Sequence, residues 1–164
     1  MARKRTTAPL SGHTILIIDD QESIRKSLKL ALEKEGYLVE TAENGQEAIR
    51  KSKEEFYNMA LVDLRLPDMD GIELLTAMRE TVPKMVKIII TGYPSLENAI
   101  EGVNRGADGY VVKPYTMETL LEKIREHLQK QQEAKKYSEL KVKEFIDTRA
   151  EEYESRTSAK RSLK

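Results

Sequence analysis

Five polar side chains stand where apolar runs stop. Ile15-Leu16-Ile17-Ile18 is halted by Asp19 and Asp20, and Met59-Ala60-Leu61-Val62 leads into Asp63. The run from Val86 ends in Thr91, and Tyr110-Val111-Val112 ends in Lys113. Three carboxylates brought to one rim repel one another and need a proton or a cation to relieve them. A hard divalent cation is the natural remedy. Mg²⁺ takes oxygen ligands, keeps several waters and uses one or two carboxylates together with phosphate. An aspartate beside such a cation, an ammonium and a hydroxyl is placed to accept a phosphoryl group by in-line attack, because the positive charges offset the phosphoryl oxygens. Each residue alone has an ordinary role: an N-cap for Asp19 or Asp20, a loop carboxylate for Asp63, a strand residue for Thr91, a solvated charge for Lys113. Their complementarity makes the set informative.

The elements that must position them alternate. A continuous apolar run over 13–18 predicts a strand buried on both faces, and the stretches 37–42, 59–62, 86–91 and 108–112 predict four more. Between them, Ile24, Leu28, Ala31 and Leu32 mark a first helix ended by Gly36, and Asn44 caps a second helix carrying Ala48 and Ile49. A turn at Pro67-Asp68-Met69-Asp70-Gly71 opens a third helix with Ile72, Leu75 and Met78 facing inward. Ser95 opens a fourth helix whose apolar stripe is Leu96, Ala99, Ile100 and Val103, and Leu120, Leu121, Ile124 and Leu128 mark a fifth. Five strands alternating with five helices predict an α/β domain around a parallel sheet. In such sheets the site lies outside the carboxyl ends of the strands, where the five polar residues fall.

Composition removes several other chemistries. The chain has 164 residues, no cysteine and two histidines, His13 and His127. That excludes disulfide scaffolds, thiolate metal sites and multi-histidine centres. No apolar run reaches the roughly 20 residues needed to span a bilayer, and the balance of residues predicts a cytoplasmic protein. The 28 basic and 28 acidic side chains are segregated. Residues 1–13 carry three basic and no acidic groups, and residues 129–164 carry ten and seven. The 15 basic and 21 acidic groups left in residues 14–128 make an acidic body, so no direct nucleic-acid binding is expected of it.

Ile15-Leu16-Ile17-Ile18-Asp19-Asp20, then Asp63 through Gly71, then Thr91-Gly92, then Gly109-Tyr110-Val111-Val112-Lys113-Pro114 together resemble the receiver domain of two-component response regulators. The resemblance covers about residues 13–130, with all motifs in order. It implies a doubly wound five-stranded parallel sheet of order 2-1-3-4-5, flavodoxin-like, with five helices and a helical C-terminal extension. It also implies roles. Asp63 accepts a phosphoryl group from a sensor histidine kinase; Asp19, Asp20, Asp63 and the backbone carbonyl of Arg65 hold Mg²⁺. Lys113 pairs with the phosphoryl oxygens, and a cis peptide precedes Pro114. Thr91 and Tyr110 move together to switch a protein-binding face. The chain would then be no enzyme beyond its own phosphorylation and dephosphorylation. Two features depart from the family pattern or tune it. Gly92 stands where alanine is usual, and Arg65 and Tyr93 flank the pocket with bulk expected to slow hydrolysis.

Residues 1–12 are expected to be a disordered basic N-terminus. Residues 131–164 read as a charged helical tail without a recognised output domain, with 156–164 disordered. Val142, Phe145, Ile146 and Tyr153 share one face of it while Tyr137 and Leu140 point elsewhere, too broken a stripe for a sustained coiled coil. The tail is expected to pack back, form a homodimer, bind a partner, remain solvated or be the stub of a longer protein. An unphosphorylated adaptor receiver, acting through that tail, is the alternative function. A flavin binder is disfavoured because Asp19 and Asp20 would repel its phosphate. A related phosphatase is disfavoured because Arg65 stands where its second aspartate is needed.

Overall fold

The computed structural model describes residues 12–162. The expectation of disorder over 1–12 therefore falls, Gly12 apart, outside the described residues. The chain divides into two compact units, Met1–Gln129 and Lys130–Lys164.

In the first unit five strands, β1 (Thr14–Ile18), β2 (Leu38–Ala42), β3 (Met59–Asp63), β4 (Val86–Thr91) and β5 (Gly109–Val112), form one sheet in the order β2-β1-β3-β4-β5. Every neighbouring pair is parallel. The helices between them are α1 (Glu22–Lys34), α2 (Gly45–Glu54), α3 (Gly71–Ala77) and α4 (Leu96–Asn104), and α5 (Met117–Ser162) follows β5. This is the expected doubly wound sheet. Alternation along each strand divides the core in two. Ile15, Ile17, Leu61 and Ile88 meet Leu28 and Leu32 of α1 and Leu120, Ile124 and Leu128 of α5. Leu16, Ile18, Val62 and Ile89 meet Ala48 of α2 and Ile72 and Leu75 of α3. Each fully buried leucine or isoleucine contributes about 1.5–3 kcal/mol from its removal from water.

Local chemistry sets the element ends. Asn44 accepts a hydrogen bond from the Glu47 N–H (2.8 Å), Asp70 from Ile72 (2.9 Å) and Ser95 from Asn98 (3.0 Å). These side chains satisfy N–H groups that a helix start otherwise leaves open. Gly36, at φ 93, turns the chain out of α1. Lys87 is buried near the start of β4, and its ammonium donates to the Leu75 carbonyl near the end of α3. Burial pushes Lys87 below the usual lysine range.

Three details differ from the sequence reading. Met78 closes α3 as its C-cap rather than lying within it, although it is buried as expected. The stripe of α4 points outward: Leu96, Ile100 and Val103 are exposed, and Gly102 is the residue that α4 buries. A Cβ at Gly102 would come within 2.6 Å of Ile89, so α4 sits close on the sheet through its small residue. Residues 156–162 continue α5 instead of being disordered. No glycine or proline interrupts them, and the Thr157 hydroxyl bonds back to the Tyr153 carbonyl (2.9 Å).

Candidate functional site

The register of the sheet explains why distant residues meet. Ile18 pairs with Val62, Asp63 with Ile90, and Thr91 with Val112, so Asp19, Asp63, Thr91 and Lys113 emerge together at the carboxyl end. The strand order reverses between β1 and β3, which opens a crevice there. Carboxylate oxygens of Asp19, Asp20 and Asp63 lie within 4.8 Å of one another. Lys113 Nζ sits 3.3 Å from Asp19 Oδ2 and 3.4 Å from Asp63 Oδ2.

Asp19 is buried, whereas Asp20 is exposed and Asp63 lies between. Burial pushes Asp19 above the usual carboxylate range, and the nearby Asp63 charge adds to that. The Gln21 N–H (2.9 Å to Oδ1) and Lys113 oppose it without cancelling it. Burial works against charge on Lys113 as well, but Asp19 and Asp63 outweigh it and hold the ammonium above its ordinary value. Both directions describe the same imbalance, an excess of negative charge in a partly dry crevice. The donors are all oxygen, two of three carboxylates reach solvent, and one ammonium does not neutralise three acids. Such a set fits a hard divalent cation that keeps its waters.

The surrounding groups are tied to the crevice. The Arg65 N–H donates to Asp63 Oδ1 (3.1 Å), and the backbones of Arg65 and Asp70 pair in an isolated antiparallel β-bridge across the β3–α3 loop. The Arg65 guanidinium lies 3.5 Å from the centre of the Tyr93 ring, so the two bulky neighbours of the crevice stack on each other. Thr91 is fully buried, its hydroxyl accepts from the Tyr93 N–H (3.0 Å), and its carbonyl accepts from the Lys113 N–H (2.8 Å). The Lys113–Pro114 peptide bond is cis, and so is Val82–Pro83, which nothing in the sequence reading marked. A Cβ at Gly92 would touch only the Lys113 Cβ at 3.9 Å, so an alanine fits this place. Tyr110 packs inward, and among the described residues its hydroxyl is the one buried side-chain polar atom without a hydrogen-bond partner.

A family model for the response regulator receiver domain matches residues 15–125. This chain belongs to the response regulator receiver family. A receiver domain protein (CheY-like) from Methanospirillum hungatei JF-1 is 48% identical, with a TM-score of 0.73, over 76% of this chain and 99% of that one. The response regulator TrrA of Thermotoga maritima, solved in complex with Mg²⁺ and BeF, is 34% identical over 70% of this receiver chain and 98% of its own, with a TM-score of 0.63. The transcriptional regulatory protein SrrA of Staphylococcus aureus is 38% identical over 121 residues, 74% of this chain and 50% of SrrA. The chain thus spans about half the length of the curated relatives it matches. Among the described residues, no helix is long and apolar enough to cross a membrane.

Sequence reasoning read Asp68 of this receiver as turn chemistry only. Its carboxylate accepts from the N–H groups of Gly45 (2.8 Å) and Gln46 (2.9 Å), which fastens the loop after β3 to the start of α2. Slight burial raises its pKa, but these backbone donors prevail and hold it below the usual carboxylate range. A folded-state value below the unfolded one stabilises the fold above about pH 4 and loses that contribution as pH falls through the folded value. Asp68→Ala is therefore expected to cost about 1 kcal/mol at neutral pH, by analogy with a lost helix cap, and less in acid. Urea unfolding at pH 7 and pH 3 checks both parts.

Proposed function

We propose that this receiver accepts a phosphoryl group on Asp63 from the phosphohistidine of a sensor histidine kinase, with Mg²⁺ in the crevice. The observation that carries the proposal is one oxygen cluster, Asp19, Asp20 and Asp63, with the Lys113 ammonium on its inner side. Asp19, Asp20 and Asp63 would hold the Mg²⁺, together with the Arg65 carbonyl that the family resemblance implies. When bound, the ion supplies positive charge to the phosphoryl oxygens. An Asp63 oxygen forms the new O–P bond as the P–N bond of phosphohistidine breaks, and the imidazole keeps the electron pair and takes up a proton. Lys113 holds charge against the incoming phosphoryl oxygens. In the reverse fate, water attacks phosphorus, the O–P bond breaks, and inorganic phosphate leaves with the Asp63 carboxylate restored. The chain acts on no other substrate in this reading.

Thr91 and Tyr110 supply the switch. The Thr91 hydroxyl is held by the Tyr93 N–H and would turn to the phosphate once that oxygen array is present. The Tyr110 hydroxyl is buried with no protein partner among the described residues, and outward rotation of the side chain would bring it to solvent. Phosphorylation biases such an element only by binding one arrangement better than the other. The exposed apolar residues of α4 and β5, including Leu96, Ile100 and Val112, are the surface that a protein partner would read.

Incubation with Mg²⁺ and acetyl phosphate is expected to add the mass of one phosphoryl group to the intact protein. Asp63→Ala or excess EDTA should abolish the gain, and a persistent gain in Asp63→Ala would refute the assignment. The Arg65–Tyr93 stack is expected to impede the attacking water. Removing both side chains should shorten the lifetime of the adduct about fivefold, equivalent to ~1 kcal/mol for a cation–π contact. An unchanged decay rate in Arg65→Ala and in Tyr93→Ala would sink this second claim.

A further inference from the structure

The second unit is helix throughout its described length. Its propensity is favourable, yet helices in proteins are held mostly by packing of an apolar face. Val142, Phe145, Ile146 and Tyr153 fall on one face at i, i+3, i+4 and i+11, and all are 57–73% exposed. The aromatic members are only partly shielded. The Arg149 guanidinium lies 5.3 Å from the Phe145 ring and also pairs with Glu152 at 3.4 Å.

The order of charges along this helix identifies what covers the face. Residues 130–143 hold five lysines against two glutamates, a net of +3. Residues 144–154 hold five acids against Arg149 alone, a net of −4. Each stretch is complementary to the other and repels its own kind. Two such helices laid parallel and in register would set basic against basic and acidic against acidic. Laid antiparallel, they set +3 against −4 twice. The point about which the charges reverse, near Glu144, also lies within the apolar patch, so Val142 of one copy comes opposite Ile146 of the other. We propose that the occupant of this face is a second copy of the chain, the two helices running antiparallel and crossing near Glu144. The patch is short and its flanks are ionic, so the pairing is salt-sensitive. Tyr137 and Leu140, off this face, take no part. The inference is independent of phosphorylation at Asp63.

The absence of native cysteine makes single spin labels unambiguous. Lys135→Cys and Arg156→Cys would each be labelled in the full chain, and same-site distances measured by pulsed dipolar spectroscopy beside light-scattering masses. Positions 135 and 156 lie nine and twelve residues from 144. At 1.5 Å rise per residue, an antiparallel pair separates like labels by about 27 Å and about 36 Å along the axis. A parallel pair brings both to roughly the interaxial distance, about 10 Å. The expected result is a dimer mass with the two long, unequal distances, both lost in Glu151→Lys/Glu152→Lys/Glu154→Lys while circular dichroism confirms that the receiver body remains folded. Equal short distances, distances unrelated to the crossing point, a monomer at all concentrations, or a dimer indifferent to the triple reversal would each overturn the proposal.

Discussion

Lys113→Ala is expected to slow phosphoryl uptake at Asp63 by about 10²-fold, the usual loss when one preorganised charge-stabilising donor is removed. Lys113 Nζ stands 3.3 Å from Asp19 and 3.4 Å from Asp63, and the two carboxylates outweigh burial to keep it protonated. Removing it leaves three acids facing an incoming anion with only a bound cation to offset them. The effect is placed on the rate because, in the proposed reaction, the ammonium would act where phosphoryl charge develops. Initial rates of mass gain at fixed Mg²⁺ and phosphodonor measure it. Lys113→Arg keeps the charge but spreads it over a planar fork, so it should recover only part of the rate. A variant without the ammonium that reacts at the native rate would remove Lys113 from the chemistry.

Gly71→Ala should produce the largest loss of stability, about 3 kcal/mol, or roughly 10 °C in Tm for a domain of this size. A Cβ there would lie 2.3 Å from the Asp63 carbonyl oxygen and 2.7 Å from the Leu64 Cα. Both contacts are backbone, so no rotamer change relieves them. The loop that carries them is the one that presents Asp63, and the Gly71 N–H bonds to the Leu64 carbonyl (2.8 Å). The substitution is thus expected to slow phosphorylation as well as to destabilise the fold. Gly92→Ala is the matched control. With only the Lys113 Cβ at 3.9 Å, it should change stability by less than about 0.5 kcal/mol. Denaturant unfolding of the two variants separates backbone collision from a general intolerance of alanine near the site.

The parts legible in the sequence were those set by short-range pattern. Strands that stop at Asp19, Asp63, Thr91 and Lys113 gave the rim, because a parallel sheet delivers all its carboxyl ends to one side. Capping by Asn44 was equally local. Contacts fixed by tertiary placement were not legible. The outward stripe of α4 has the spacing of a buried face, and periodicity locates such a stripe without saying what covers it. Gly102 decided the matter by letting α4 approach Ile89 on its other side. Asp68 has the type and position of a turn residue, and no local signal joins it to N–H groups 22 and 23 positions earlier. Arg65 and Tyr93 were marked as bulk beside the pocket, whereas their 3.5 Å stack requires two loops to meet. In the tail, composition foretold helix, but residues from 156 onward were expected to be disordered, whereas α5 continues to Ser162.

The central claim is that the rim exists to carry a phosphoryl group on Asp63. Borohydride cleaves an aspartyl phosphate reductively and leaves homoserine at the modified position, so the site can be read by peptide sequencing after reaction with acetyl phosphate. Homoserine is expected at position 63 alone, appearing only when Mg²⁺ is present. Homoserine at position 19 or 20, or none despite reaction with several phosphodonors, would contradict it.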